Sequence, residues 1–176
     1  MVKRKVKDMA SYENGKDDVC KWIKDNFPKG ATCLDVGACD GVWADRLGDY
    51  LVMDGIEIFE PYIEKYDLRE KYRDIYIGDI ADFEYEHYDI IIFGDVIEHM
   101  SVEKAQRVIE YAKGRCDDMI IAVPFKYPQE PYNDNIYEAH IQDDLTEEIF
   151  AERYKSFETL VWFWNYCYYH KGENVE

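Results

Sequence analysis

Three short stretches of this 176-residue chain hold side chains whose types and spacing could do chemistry. The first is D-V-G-A-C-D-G at 35–41, directly after an apolar run. Gly37 and Gly41 permit a tight turn and a close backbone approach to a ligand. With Asp35 they would sit at a strand end, before a helix whose first N–H groups suit a carboxylate or phosphate. The second stretch is D-V-I-E-H at 95–99, after another apolar run. Asp95 lies at that run's end, and His99 either orients a loop, faces a substrate or caps the carbonyls of a neighbouring segment. The third is Y-E-A-H at 137–140. His140 there could be a general base with a near-neutral pKa. The dinucleotide fingerprint G-x-G-x-x-G, begun at Gly37, would need glycines where Cys39 and Val42 stand. The phosphate-binding G-x-x-x-x-G-K-S/T loop is absent. No cluster has metal-ligand spacing, which predicts no metal. His87 and His170 have no supporting context.

The elements that must position these residues alternate. Residues 11–27 place Val19, Cys20, Trp22, Ile23 and Phe27 at helical spacing, and Pro28 and Gly30 stop the helix. Strands are predicted at 31–36, 51–58, 74–78, 88–94 and 118–123, with helices at 42–50, 61–72 and 102–114 between them. Pro61 suits the first turn of its helix. The run at 88–94 (YDIIIFG) is apolar almost throughout, as expected of a parallel strand buried on both faces. This rhythm implies βαβ units with helices on both faces of a parallel sheet. Ligands then bind outside the carboxyl ends of the strands. Residues 124–140 hold three of the five prolines, interleaved with aromatics, and read as a long ordered loop over the substrate side. A helix at about 145–154 follows, and 157–170 reads as two antiparallel strands turning at Asn165. The length fits one domain spanning 1–176.

With 21 Lys+Arg against 38 Asp+Glu, the formal net charge is −17. That argues against a protein that grips nucleic-acid phosphates. Four of the basic residues fall within MVKRKVK at the start, so residues 1–10 read as a flexible basic tail. No apolar run approaches the roughly 20 residues needed to span a bilayer, and no secretory h-region is visible. Five scattered cysteines, none in CxxC spacing, read as reduced thiols in a cytoplasmic protein.

The strand-end stretches, in order, resemble the motifs of the class I S-adenosyl-L-methionine (SAM)-dependent methyltransferases over roughly residues 20–160. LDVGACDG (34–41) is similar to the family's D-x-G-x-G-x-G motif. Cys39 replaces its middle glycine, which fits if φ there is negative. GIE (55–57), GDI (78–80) and FGDVIEHM (93–100) resemble the motifs after the second, third and fourth strands. The resemblance implies an α/β, Rossmann-like, doubly wound and mostly parallel seven-stranded sheet with a C-terminal antiparallel hairpin. It implies SAM as cofactor. The backbone around Gly37, Ala38 and Gly41 would face its methionyl part, and Asp35 would hold the amino group through water. Glu57, preferred to Glu60, would accept from both ribose hydroxyls. Asp79 and the Ile80 N–H would meet the adenine, and Asp95 would lie beside the methionyl site.

The reaction implied is direct in-line methyl transfer, which mainly needs alignment and exclusion of water. The Asp/Asn-Pro-Pro-Tyr/Phe stretch of amino-directed DNA methyltransferases and the Pro-Cys of cytosine-C5 enzymes are absent. A small molecule or a protein side chain is therefore the expected acceptor, with Tyr127, Tyr132 and Tyr137 lining its pocket. Two other readings stay open: a SAM-binding protein that does not methylate, and a non-enzymatic interaction protein on the same fold.

Overall fold

The apolar run Ile90–Phe93 has no side chain exposed to solvent, and its residues alternate between two cores. Ile90 and Ile92 face one cluster, Ile91 and Phe93 the other. A strand that buries both faces must be central, and full burial of each such side chain contributes about 1.5–3 kcal/mol. In a computed structural model that describes residues 13–132 and 134–172, this strand (β4, Tyr88–Gly94) lies mid-sheet. The basic-tail reading of residues 1–10 falls outside the described residues.

The sheet order is β3-β2-β1-β4-β5-β7-β6. Its other strands are β1 (Thr32–Val36), β2 (Val52–Glu57), β3 (Asp74–Ile77), β5 (Cys116–Pro124), β6 (Phe157–Phe163) and β7 (Tyr166–Lys171). The first five strands pair in parallel, and β7 pairs antiparallel with both β5 and β6. The order reverses between β1 and β4, the place where doubly wound sheets open a crevice. The hairpin turns at Trp164 and Asn165, as the sequence predicts.

Helices α1 (Lys16–Asn26) and α2 (Val42–Leu47) cover one face through Val19, Ile23, Trp43 and Leu47. Helices α5 (Val102–Lys113) and α6 (Glu147–Arg153) cover the other through Val108, Ile109 and Phe150. The single helix expected at 61–72 is instead two, α3 (Pro61–Lys65) and α4 (Leu68–Lys71). Asp67, in the left-handed region at φ 53°, breaks it. The reason lies in the spacing. On one continuous helix Ile63 and Leu68 would point about 140° apart, whereas the break lets both enter the same core. All five cysteines are free thiols. Among the described residues no helix is long and apolar enough to cross a membrane.

Candidate functional site

A cavity of about 570 Å³ opens at the carboxyl ends of β1, β2, β4 and β5, within the usual size range of ligand pockets. The turn after β1 forms its floor. Gly37 has φ 72°, and a Cβ there would stand 2.7 Å from Val96 Cγ2, so the turn and the segment after β4 need this glycine to approach. Gly37 and Ala38 line the cavity, whereas Gly41 does not: it turns the chain into α2 at φ 76°. The N–H groups expected to face an anion are engaged within the protein. Those of Gly37 and Ala38 donate to the Ile56 carbonyl at 2.9 and 3.2 Å, and that of Gly41 to the Ala38 carbonyl at 2.7 Å. The Cys39 N–H donates to Glu57 Oε2 at 2.9 Å. Cys39 itself has φ 46°, not the negative value its side chain led us to expect.

Glu57 ends β2, lines the cavity and is 4% exposed. Its Oε1 accepts from the Phe59 N–H at 2.7 Å, and the Ile58 N–H also hydrogen-bonds to this carboxylate. Burial raises its carboxyl, and the hydrogen bonds from Phe59 and Cys39 oppose that shift. Glu60 is exposed and stands outside the lining. Asp79 and Ile80 line the next part of the wall. The Asp79 Oδ1 caps a 3₁₀ turn by accepting from the Ala81 N–H at 2.9 Å, and its Oδ2 is ion-paired with Lys104 of α5. Nothing in the spacing of Lys104 signals this partnership.

Asp35 is not at the surface of the cavity. It is 1% exposed, sits behind the lining, and accepts a 2.5 Å hydrogen bond from the Tyr72 hydroxyl. Burial pushes its carboxyl up to about 7. It does not reach the cavity, where a contact through water is expected of it. Asp95 does: it has φ 58°, and its Oδ1 accepts from the Tyr166 hydroxyl of β7 at 2.5 Å.

Residues of the loop from Pro124 to His140 line one side of the cavity. Tyr127 and Tyr137 line the cavity; Tyr132 does not. Glu138 fixes the loop, because its Oε1 accepts from the Tyr62 hydroxyl of α3 at 2.9 Å. His140 Nδ1 meets the Tyr127 carbonyl at 2.6 Å, and His99 Nδ1 meets the Ala139 carbonyl at 3.1 Å. His99 thus both caps a carbonyl and lines the cavity. The two imidazoles lie edge to face with centroids 4.7 Å apart. Burial lowers the pKa of both, and for His140 the neighbouring His99 adds to the shift. Glu98, to which sequence reasoning gave no role, also lines the site. It is fully buried, and neither carboxyl oxygen has a hydrogen-bond partner from another residue. Burial, then the charge of Asp95, pushes its carboxyl well above the usual range.

No family model and no curated protein sequence matches the chain. Solved structures do. A SAM-dependent methyltransferase from Clostridium acetobutylicum ATCC 824 aligns with a TM-score of 0.67 over 89% of this chain and 89% of that one, at 9% identity. Magnesium protoporphyrin IX methyltransferase from Synechocystis PCC 6803, solved with bound S-adenosylhomocysteine (SAH), gives 0.58 over 88% and 80%, at 17% identity. A SAM-bound amino pentose methyltransferase from Micromonospora echinaspora gives 0.52 over 60% and 48%, at 16% identity, so the chain spans about half the length of that protein. The likeness is one of fold, and the fold of this chain is that of the class I SAM-dependent methyltransferases.

Proposed function

We propose that the protein binds S-adenosylmethionine in this cavity and transfers its methyl group to a small molecule or a protein side chain. One observation carries the reading. The ends of four neighbouring chain segments present Gly37, Glu57, Asp79 with Ile80, and Asp95 to a single cavity. The three acids and the Ile80 N–H suit the polar parts of the cofactor in the order the fold would place them, and Gly37 lets the backbone approach it. Glu57, which lines the cavity at the end of β2, would accept from the ribose hydroxyls. Asp79, held by Lys104, and the Ile80 N–H would meet the adenine edge. Asp95, held by Tyr166, would lie beside the methionyl amine.

What the cofactor supplies when bound is a methyl group already activated on a sulfonium. The chain's work is then alignment and exclusion of water. Tyr127, Tyr137 and His140 bound the side of the cavity closed by the loop, where the acceptor would enter. Two of the similar structures are named for small-molecule acceptors, which supports that class for this chain.

Calorimetric titration with SAM, SAH and NAD tests the reading. Micromolar binding of the two adenosyl ligands with none for NAD is expected; absence of adenosyl binding overturns it. Glu57→Ala should weaken SAM binding by about 1–3 kcal/mol, the scale of lost charge-assisted hydrogen bonds. Unchanged affinity in this variant would remove Glu57 from the ribose role. Incubation with methyl-labelled SAM and an acceptor panel then separates transfer from binding alone.

A further inference from the structure

Glu98 poses a problem that the cofactor reading leaves unsolved. A carboxyl group that is fully buried with neither oxygen partnered by another residue is costly to a fold. It recurs in functional sites where something other than a protein donor meets it. Two imidazoles stand beside it. One ligand atom from each of Glu98, His99 and His140 can be chosen so that all three lie within 4.8 Å of one another. We propose that Glu98, His99 and His140 bind one divalent transition-metal cation on the loop side of the cavity.

The hydrogen bonds around the histidines favour this directly. Each Nδ1 faces a backbone carbonyl, of Ala139 for His99 and of Tyr127 for His140. A carbonyl only accepts, so each Nδ1 carries the proton and each neutral ring keeps its lone pair on Nε2. That arrangement, with the second ring nitrogen anchored by a carbonyl, is how ligating histidines are fixed in tautomer and orientation. The third ligand is locked to them by the backbone. The Glu98 carbonyl accepts from the N–H groups of Ile141 and Gln142 at 2.8 and 2.9 Å. The Gln142 side chain also donates to the Ile97 carbonyl at 2.7 Å. These bonds stitch the end of the loop to the turn at Ile97–His99 and hold His140 against His99. Asp95 and Glu138 surround Glu98 with further negative charge, which favours a cation.

Bonds of about 2.1 Å need ligand atoms no more than about 4.2 Å apart, a contraction within reach of side-chain rotation. Two nitrogens and one oxygen suit Zn²⁺, Mn²⁺, Fe²⁺ or Co²⁺ better than Ca²⁺ or Mg²⁺. Three protein ligands leave coordination positions open, and all three residues line the cavity. Such a cation would polarise an acceptor oxygen and lower the pKa of its proton. His140 is then a ligand and not the general base that its sequence context suggested. The expectation of no metal rested on spacing along the chain, which cannot register a ligand delivered by a remote loop.

The test uses tag-free full-length protein, stripped with EDTA and dialysed. Zn²⁺, Mn²⁺ and Co²⁺ are titrated by calorimetry, and Co²⁺ also by its visible absorption. One equivalent should bind with a Kd of about 10 µM or tighter for at least one of them. Glu98→Gln and His140→Ala should each weaken that binding by more than the roughly 10–100-fold lost with an outer-shell partner. Circular dichroism checks that the variants fold; should Glu98→Gln not fold, His140→Ala, altered on the loop, carries the comparison. Millimolar binding of all three cations, or variants that bind like wild type, overturns the proposal. SAH affinity measured on the same samples keeps the two readings apart. Adenosyl binding with no cation sinks this site alone, and cation binding with no adenosyl binding sinks the cofactor reading alone.

Discussion

Asp35 is a strand-end acid whose position in the sequence promised contact with a ligand and whose surroundings give it another task. It touches Tyr72, and the charges of Glu57, Asp40 and Lys16 reach it from β2, the turn after β1 and α1. Burial holds its folded pKa near 7 against an ordinary value of 3.8. The folded protein therefore keeps this proton at pH values where the unfolded chain has released it. The stabilisation is fully present below about pH 4 and fades as pH rises through 7. Asp35→Asn keeps the shape and removes the titration. It should melt higher than wild type at pH 8, and the difference should shrink toward pH 5. It should leave SAM affinity within about twofold, since Asp35 does not line the cavity. Thermal melts across pH, with calorimetry at one pH, check both. A large loss of SAM affinity would restore the role that the sequence suggested. Gly37→Ala should do the reverse, costing stability and binding together, because its φ of 72° and a Cβ 2.7 Å from Val96 leave no room for a side chain.

Elements were legible where one periodicity dominated and illegible where packing overrode it. The central strand β4 was read to the residue, since a run buried on both faces leaves no ambiguity of period. The α3–α4 break was not, because helix-forming residues continue through it and only the need to bury both Ile63 and Leu68 demands the turn at Asp67. Site residues divided in the same way. The position of Glu57, Asp79 and Asp95 at the cavity was legible because a strand end places each of them. Lys104, Tyr166 and the grouping of Glu98 with His140 were not, because each is brought in by an element packed from elsewhere. The cap of α5 ties one such residue to the site. Ser101 Oγ accepts from the Lys104 N–H at 3.3 Å, and Lys104 in turn holds Asp79. Ser101→Ala should cost about 1 kcal/mol, or roughly 2–4 °C in melting temperature for a chain of this size. A melt within 1 °C of wild type would show that packing alone sets the start of this helix.

At the scale of the whole molecule, the charge of −17 sets an opposition between two effects of salt. Added monovalent salt screens the repulsion among excess carboxylates, which stabilises the folded state. It also screens ion pairs such as Arg46–Asp17, Lys71–Asp45 and Arg153–Asp144, which destabilises it. Magnitudes decide between them. Partly exposed pairs contribute about 0–1 kcal/mol each, whereas the net charge of −17 acts on the whole folded surface. The melting temperature should therefore rise by several degrees between 20 mM and 500 mM NaCl at pH 8. NaCl is the right salt for this, because a divalent salt would load Glu98 and its histidines and confound screening with binding. A melting temperature that falls with salt would mean that the ion pairs, and not net charge, dominate this surface. The same charge predicts no measurable affinity for duplex DNA at 150 mM salt, since 38 acidic residues oppose the 21 Lys and Arg that would displace its counterions. Tight binding there would move the acceptor out of the small-molecule and protein classes, toward a nucleic acid gripped by the basic start of the chain.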